Sequence, residues 1–488
     1  MNRERSFRLP IGGASAYGAL LLGGIAIFLW IKRYGESLVA PPAAGSLAQA
    51  TATSHGTPDV LWHLLLALTV VVVVGRVVGR LFTIVGQPPV IGEVIAGILL
   101  GPSLLGYISP AAYAYVLPPA VAPFLGIVAQ LGIILYMFLV GLELNPDLLK
   151  GQVHATVATS HASIVLPFVL GTTLALYLYP RLSTNDIPFT NFALFLGVAM
   201  SITAFPVLAR ILSDRKMTHT RLGALALTSA AIGDVTAWFL LAFVVGVVQA
   251  RTDGALLVAA LTLGFAGFML AIARPVAARL ARGGDQPPTQ GAIAFTLVCV
   301  LIAAMTTEVI GVHAIFGAFL LGAIIPHDTA LARALKQSLE NVVTILLLPA
   351  FFAFSAMRTQ VGLLSGWFEW AMCGLIVLVA VIGKFGGTLV AARATGLNWR
   401  DAASLGVLMN TRGLMELIVL NVGLDLGVIS PALFTMMVLM ALVTTMATTP
   451  LLQALNSRQL SEGVDGPIPA KSPVVRPDVR LRPDTPTA

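Results

Sequence analysis

Four charged residues stand where the sequence otherwise runs apolar, and they set the chemistry open to this chain. Asp234 lies in Thr228-Ser229-Ala230-Ala231-Ile232-Gly233-Asp234-Val235-Thr236-Ala237-Trp238, near the middle of the apolar run 222–249. A charge at mid-membrane costs at least ~2.5–3.5 kcal/mol on insertion scales, so such a residue marks a site or has a partner. No basic residue lies within reach on the same helix, so any partner comes from another one. A carboxylate so placed can take a proton or a small cation. The bland alternative is a neutral carboxyl hydrogen-bonded to Ser229, Thr236 or backbone.

Lys384 falls in Gly383-Lys384-Phe385-Gly386-Gly387, inside the run 366–391. Its long stem allows it to snorkel to a nearby surface. Alternatively it faces the interior and pairs with Asp234, the adjacent glycines letting another helix approach. Arg412 and Glu416, four residues apart in the run 402–424, share one helix face. Their expected role is mutual neutralisation that ties helices together. Glu93 reads as an interhelical hydrogen-bonding group, Glu308 and His313 as a solvated pair at a turn. His63 and His161 lack metal-ligand spacing, and Cys299 and Cys373 lie far apart as core residues. No cofactor is expected.

Two runs carry helix-breaking chemistry at mid-depth. In 190–213, Ser201-Ile202-Thr203-Ala204-Phe205-Pro206 places a proline that removes one backbone bond and blocks the preceding turn. In 402–424, Asn410-Thr411-Arg412-Gly413 combines an amide, a hydroxyl and a glycine. Unwound backbone at that depth is tolerated only inside protein or along an aqueous cavity. The two runs are the sixth and thirteenth and cross in opposite directions. Interrupted helices at matching places in two inverted halves point to a transporter's binding site.

The elements that position these residues follow from composition. Of 488 residues, 57% are hydrophobic and 10% charged, with mean hydropathy +0.90. Soluble proteins carry roughly 25% charged residues, so a cytosolic enzyme, a disulfide scaffold and a disordered chain are excluded. At about 20 residues per crossing, the sequence gives about 14 spans. They lie near 14–32, 60–81, 89–105, 121–141, 157–179, 190–213, 222–249, 255–274, 289–309, 311–325, 342–358, 366–391, 402–424 and 430–453.

The net charge of +7 does not imply nucleic acid, because Lys and Arg sit mostly in short loops between spans. One side collects Arg3, Arg5, Arg8, Lys150, Arg215, Lys216, Arg221, Arg279, Arg282, Arg333, Lys336, Arg393, Arg400 and five basic residues after 457, the other only Arg33, Arg181 and Arg251, with Lys32 and Arg358 at helix edges. Positive charge marks the cytoplasm, so both termini are expected there. Residues 1–58 read as an extra helix and an extracytoplasmic loop, 59–454 as the main membrane domain. The Pro-rich 455–488 reads as a disordered cytoplasmic tail. Ala48-Gln49-Ala50 is a weak cleavage-site match, but its distance from the first apolar run favours a retained helix.

Taken together, Gln87-Pro88-Pro89-Val90-Ile91-Gly92-Glu93 with 97–102, Phe138-Leu139-Val140-Gly141-Leu142-Glu143, 201–206, Gly233-Asp234, Lys384 and 410–416 resemble one known family. It is the monovalent cation:proton antiporters of the second class, and the resemblance covers roughly 60–453. It implies an all-α fold of 13 helices in inverted repeats with two broken, crossing helices, here with one extra N-terminal helix. It also implies a homodimer in a bacterial cell membrane. On this likeness Asp234 takes either a proton or a cation such as Na+, Li+ or K+. Thr203 and neighbouring backbone at Pro206 form the first broken-helix contribution, with Ser229 nearby. Asn410, Thr411 and Gly413 form the second, and Lys384 is the charge partner. Gly233 departs from the pattern, since the family often has Asp, Asn or Gln there. One-for-one, electroneutral exchange is therefore the expectation.

Three rivals make distinct demands. A potassium-efflux system of the same fold would need its nucleotide-binding domain on a separate subunit. A non-transporting sensor would be expected to lack the midplane carboxylate, which is present. A membrane-embedded enzyme would show a second intramembrane aspartate, His-Glu-x-x-His or a Ser/His arrangement, and none is found.

Overall fold

The computed structural model describes residues 11–38, 60–143, 153–184, 186–217, 220–249, 255–281, 288–326 and 328–456. The terminal basic residues, Ala48-Gln49-Ala50, Lys150, Arg251, Arg282 and the tail beyond 456 lie outside the described residues. Among the described residues the regular secondary structure is all helical. In lipid every backbone polar group must be satisfied within the chain, and a helix does this segment by segment.

The elements run α1 Ile11–Gly35, α2 Val60–Ile84, α3 Pro89–Leu100, α4 Leu105–Ile108, α5 Pro110–Val116, α6 Ala122–Glu143 and α7 Val153–Leu182. Next come α8 Phe189–Ser201, α9 Phe205–Asp214, α10 Arg221–Gln249, α11 Ala255–Phe268 and α12 Arg274–Ala281. Then follow α13 Gln290–Ile310, α14 Ala314–Ile324, α15 Ala330–Val342 and α16 Leu348–Met357. The chain closes with α17 Trp367–Val381, α18 Gly387–Ala394, α19 Trp399–Met409, α20 Leu414–Asp425 and α21 Pro431–Asn456. Short π-helical turns join α11 to α12, α15 to α16 and α17 to α18.

Among the described residues 12 helices are long and apolar enough to cross a membrane, or up to 13 with the bent pair α19–α20. That is fewer than the fourteen expected. The difference is α14, whose 11 residues rise only ~16 Å against a hydrocarbon thickness of ~30 Å. The chain is an all-α polytopic membrane protein.

Burial is uneven in a way that locates the centre. The α8–α9 segment is 83% buried, whereas α2 is 17% buried and the span at 260–279 only 6%. The outer helices present their apolar side chains to lipid, and the inner ones enclose α8, α9, α19 and α20. Close approach of α7 to α8 needs small residues: a Cβ on Gly171 would sit 3.0 Å from Gly197 Cα. The first helix also docks, with Ile31 buried and Glu36 accepting from the Thr190 hydroxyl at 3.3 Å.

Candidate functional site

Pro206, at the start of α9, cannot donate a backbone hydrogen bond, and its ring clashes with a helical carbonyl four residues back, at Ile202. Helix α8 accordingly stops at Ser201, Ile202 is extended at φ −74°, ψ 140°, and α9 begins at Phe205. The second interruption spans Asn410 to Gly413, and α19 and α20 meet at 44°. Gly413 is extended at φ 164°, a conformation open to any residue. Glycine is needed there for space, because a Cβ would lie 2.8 Å from Val207 Cγ2.

The two interruptions satisfy one another. The Ala204 N–H donates to the Thr411 carbonyl at 3.0 Å. The Thr203 hydroxyl donates to the Met409 carbonyl at 3.1 Å. From α21, the Thr445 hydroxyl both accepts from the Arg412 N–H at 2.8 Å and donates to the Arg412 carbonyl at 2.7 Å. These backbone groups, having left their helices, thus keep hydrogen bonds within the protein.

Charge follows the helix ends. A helix C-terminus carries partial negative charge and attracts cations, and an N-terminus the reverse. The last carbonyls of α8 receive two cations: Arg412 donates to Ala199 and Met200 at 3.1 and 2.7 Å, and Lys384 donates to Ser201 at 2.5 Å. Lys384 also donates to the Thr203 hydroxyl at 2.5 Å. Glu416 lies in the first turn of α20 and pairs with Arg412 at 2.9 Å, both fully buried. The Asp234 carboxyl faces the Phe205 N–H at the start of α9.

Asp234 is 5% exposed and Lys384 is not exposed at all. Lys384 therefore does not reach a surface. It spends its ammonium on Ser201 and Thr203, and among the described residues it forms no ion pair with Asp234 within 4.0 Å. A π-helical turn carries it, and Gly383 makes room for α7, since a Cβ there would meet Pro167 Cα at 2.8 Å.

Thr236 donates to the Ile232 carbonyl at 2.8 Å and is not committed to Asp234. Buried oxygens without a hydrogen-bond partner include Asp234 Oδ1, Asn410 Oδ1 and Ser229 Oγ. An unpaired buried acceptor is costly, and neutral and anionic oxygens are what a monovalent cation coordinates. Among the described residues no cluster of three His, Cys, Asp or Glu could hold a metal ion. A cavity of about 20 Å³ beside Arg412, Gly413 and Val207 is large enough for one water.

Sequence reasoning missed Ser160. Its hydroxyl donates to the Ser229 carbonyl at 3.0 Å and lies 3.7 Å from where a Cβ on Gly233 would stand. The polar stretch Thr159-Ser160-His161 in an otherwise apolar helix is the signal that could have found it. Elsewhere, Glu308 accepts from the Ala314 N–H at 2.8 Å, capping α14, and Cys299 and Cys373 are free.

A family model described as sodium/hydrogen exchanger, transmembrane, matches residues 51–454. The Na(+)/H(+) antiporter NhaS4 of Synechocystis is 48% identical over 396 residues, covering 80% of this chain and 96% of that protein. Cation/H(+) antiporter 20 of Arabidopsis thaliana is 39% identical, covering 80% of this chain and 48% of its own length. The K(+)/H(+) antiporter 1 of Saccharomyces cerevisiae is 34% identical, covering 78% of this chain and 45% of its own length. The chain thus spans about half of the plant and yeast relatives. Among solved structures, the sodium proton antiporter MjNhaP1 from Methanocaldococcus jannaschii shares the fold, with TM-score 0.58 and 13% identity. That match covers 83% of this chain and 99% of the other.

Proposed function

Because this chain belongs to the sodium/hydrogen exchanger family, as a monovalent cation:proton antiporter of the second class, we propose that Asp234 is the one seat for which proton and cation compete. The observation that carries this reading is the placing of Asp234: a buried carboxyl at the N-terminus of α9, with one oxygen unpartnered, beside two crossing interruptions. Cation binding requires the carboxylate; protonation removes it. Exclusion of one by the other couples the two fluxes with no chemical step.

Asn410 Oδ1 and the Ser229 hydroxyl are the other oxygens offered to the cation, with Thr203 and Thr411 shaping the crossing. Lys384 and Arg412 hold the C-terminal end of α8, so their positive charges are already spent on carbonyls. Arg412–Glu416 is the fixed part of the site. With Gly233 in place of a second carboxylate or amide, exchange is one-for-one and electroneutral. Relatives named for sodium and for potassium support Na+ or K+ as the cation, and Li+ is proposed beside them as a third monovalent cation. Alternating access by one bundle moving against a dimeric scaffold, inverted repeats and cytoplasmic termini complete the proposal.

The test is reconstitution in liposomes with an internal pH dye, adding Na+, Li+ or K+ to wild type and Asp234→Asn. The expected result is cation-evoked proton movement in wild type and none in the variant. Full activity in Asp234→Asn, or silence of wild type with all three ions, contradicts the proposal. Strong voltage dependence between zero and about −100 mV, worth ~2.3 kcal/mol per charge, would contradict electroneutrality alone.

A further inference from the structure

Away from the crossing, a groove of about 690 Å³ opens between α2 and α3, bordered by Arg76, Gly79, Arg80 and Thr83 on one side and by Pro89 and Glu93 on the other. Its floor is a close helix contact. A Cβ on Gly92 would fall 2.7 Å from Gly79 Cα, and one on Gly79 would fall 3.2 Å from the Pro89 carbonyl. The walls are therefore held apart only at their edges, where the long side chains stand.

Arg76 and Arg80 lie four residues apart and share a helix face. Both are exposed, as are Val73, Val77 and Leu81 around them. Since α2 has a mean hydropathy of 2.2, that face is apolar enough to lie in lipid, where an unanswered guanidinium is costly. Glu93 answers Arg76, which also donates to the Thr344 carbonyl at 3.4 Å. Arg80 has no hydrogen bond or ion pair among the described residues. The groove holds two guanidinium groups against one carboxylate, and the surplus positive charge sits on the residue nearer the helix end. Arg80 is four residues before Ile84, hence ~6 Å along the axis at 1.5 Å per residue. That is headgroup depth, with the apolar face of α2 continuing below it.

We propose that this groove binds an anionic phospholipid, its phosphate on Arg80 and Arg76 and its acyl chains along the Val73–Val77 face of α2. Planar guanidinium groups suit phosphate oxygens, and basic pockets between membrane helices take anionic headgroups. The turn that leads into α3 is already tied to α21, because the Gln87 amide donates to the Met446 carbonyl at 3.1 Å. Val90, Ile91 and Val94 of α3 also line the small cavity beside Arg412. A lipid in the groove steadies the helix that backs the crossing.

The experiment uses the full chain, purified, delipidated and melted with added phosphatidylglycerol, phosphatidylcholine or inorganic phosphate. Phosphatidylglycerol should raise the melting temperature of wild type by roughly 2–4 °C, and the other two should not. Arg76→Gln with Arg80→Gln should abolish the rise, and native mass spectrometry should show the bound lipid lost. If the double variant does not insert, Arg80→Gln alone should lose most of the shift, and Arg80→Lys should keep part of it. Equal stabilisation by phosphatidylcholine, or an undiminished rise in the glutamine variants, overturns the proposal. So does a wild-type oligomer that dissociates in the variants irrespective of lipid, which would make a second copy of the chain the occupant.

Discussion

The two interruptions solve the same problem by different means. At the second, the charges come from the interruption itself: Arg412 and Glu416 lie one turn apart, pair at 2.9 Å, and are clamped by Thr445. At the first, between Ser201 and Phe205, every charge is lent from elsewhere in the chain: Lys384 from a π-helical turn and Arg412 from the second interruption on the carbonyl end, Asp234 from α10 on the amide end. The pair at the second is permanent neutralisation. Asp234, facing the Phe205 amide with one oxygen unpartnered, is the group that the proposed function leaves open to exchange. On the proposed reading, fixed charge builds the crossing and a single borrowed carboxylate works it.

Substitutions can break or sharpen that contrast. The largest effect is expected from Asp234→Asn, which keeps shape and removes the titrating charge. Proton-coupled cation flux should fall to background while the melting temperature is held or raised. Next, Arg412→Ala or Glu416→Ala leaves a buried charge unpaired and should destabilise by about 3–5 kcal/mol. Replacing both with apolar residues of similar volume should recover much of that loss in thermal melts. If the double variant were as damaged as either single one, the pair would be more than mutual neutralisation.

Lys384→Ala removes a charged donor from Ser201 and Thr203, so a loss of about 1.5–3 kcal/mol is expected. Insertion should persist, because the carbonyl end of α8 keeps Arg412. Unchanged melting would show that Lys384 does not hold this helix end. The smallest effect belongs to Thr203→Val, which loses the bond to Met409 and one of the two acceptors of Lys384; with Ser201 still holding the ammonium, it should cost about 1.5 kcal/mol. A far larger loss would make the interruptions more tightly coupled than their hydrogen bonds indicate.

How much was legible in the sequence depends on what kind of signal each feature leaves. Apolar length alone located the helices, and the family was readable from motifs in order. Pro206 and Gly413 announced where backbone leaves the helix, since one lacks a donor and the other lacks a Cβ. The short α14 was legible in part: the run 311–325 is already shorter than a full crossing and put the span count in question by one, but its continuous hydropathy hid that the helix itself has only 11 residues. The Lys384 contacts were hidden for another reason. Charge in a sequence suggests a partner of opposite charge, but here the partner is a helix end, whose carbonyls leave no residue signature. Ser160 was lost among ordinary helical hydroxyls and emerges only because α7 lies against Gly233.

Proton release on cation binding, measured with purified protein in weak buffer, tests the shared seat most directly. Wild type should release close to one proton for each cation bound, at a pH where Asp234 is protonated beforehand, and Asp234→Asn should release none. Cation binding without proton release in wild type, or equal release from Asp234→Asn, would contradict the account.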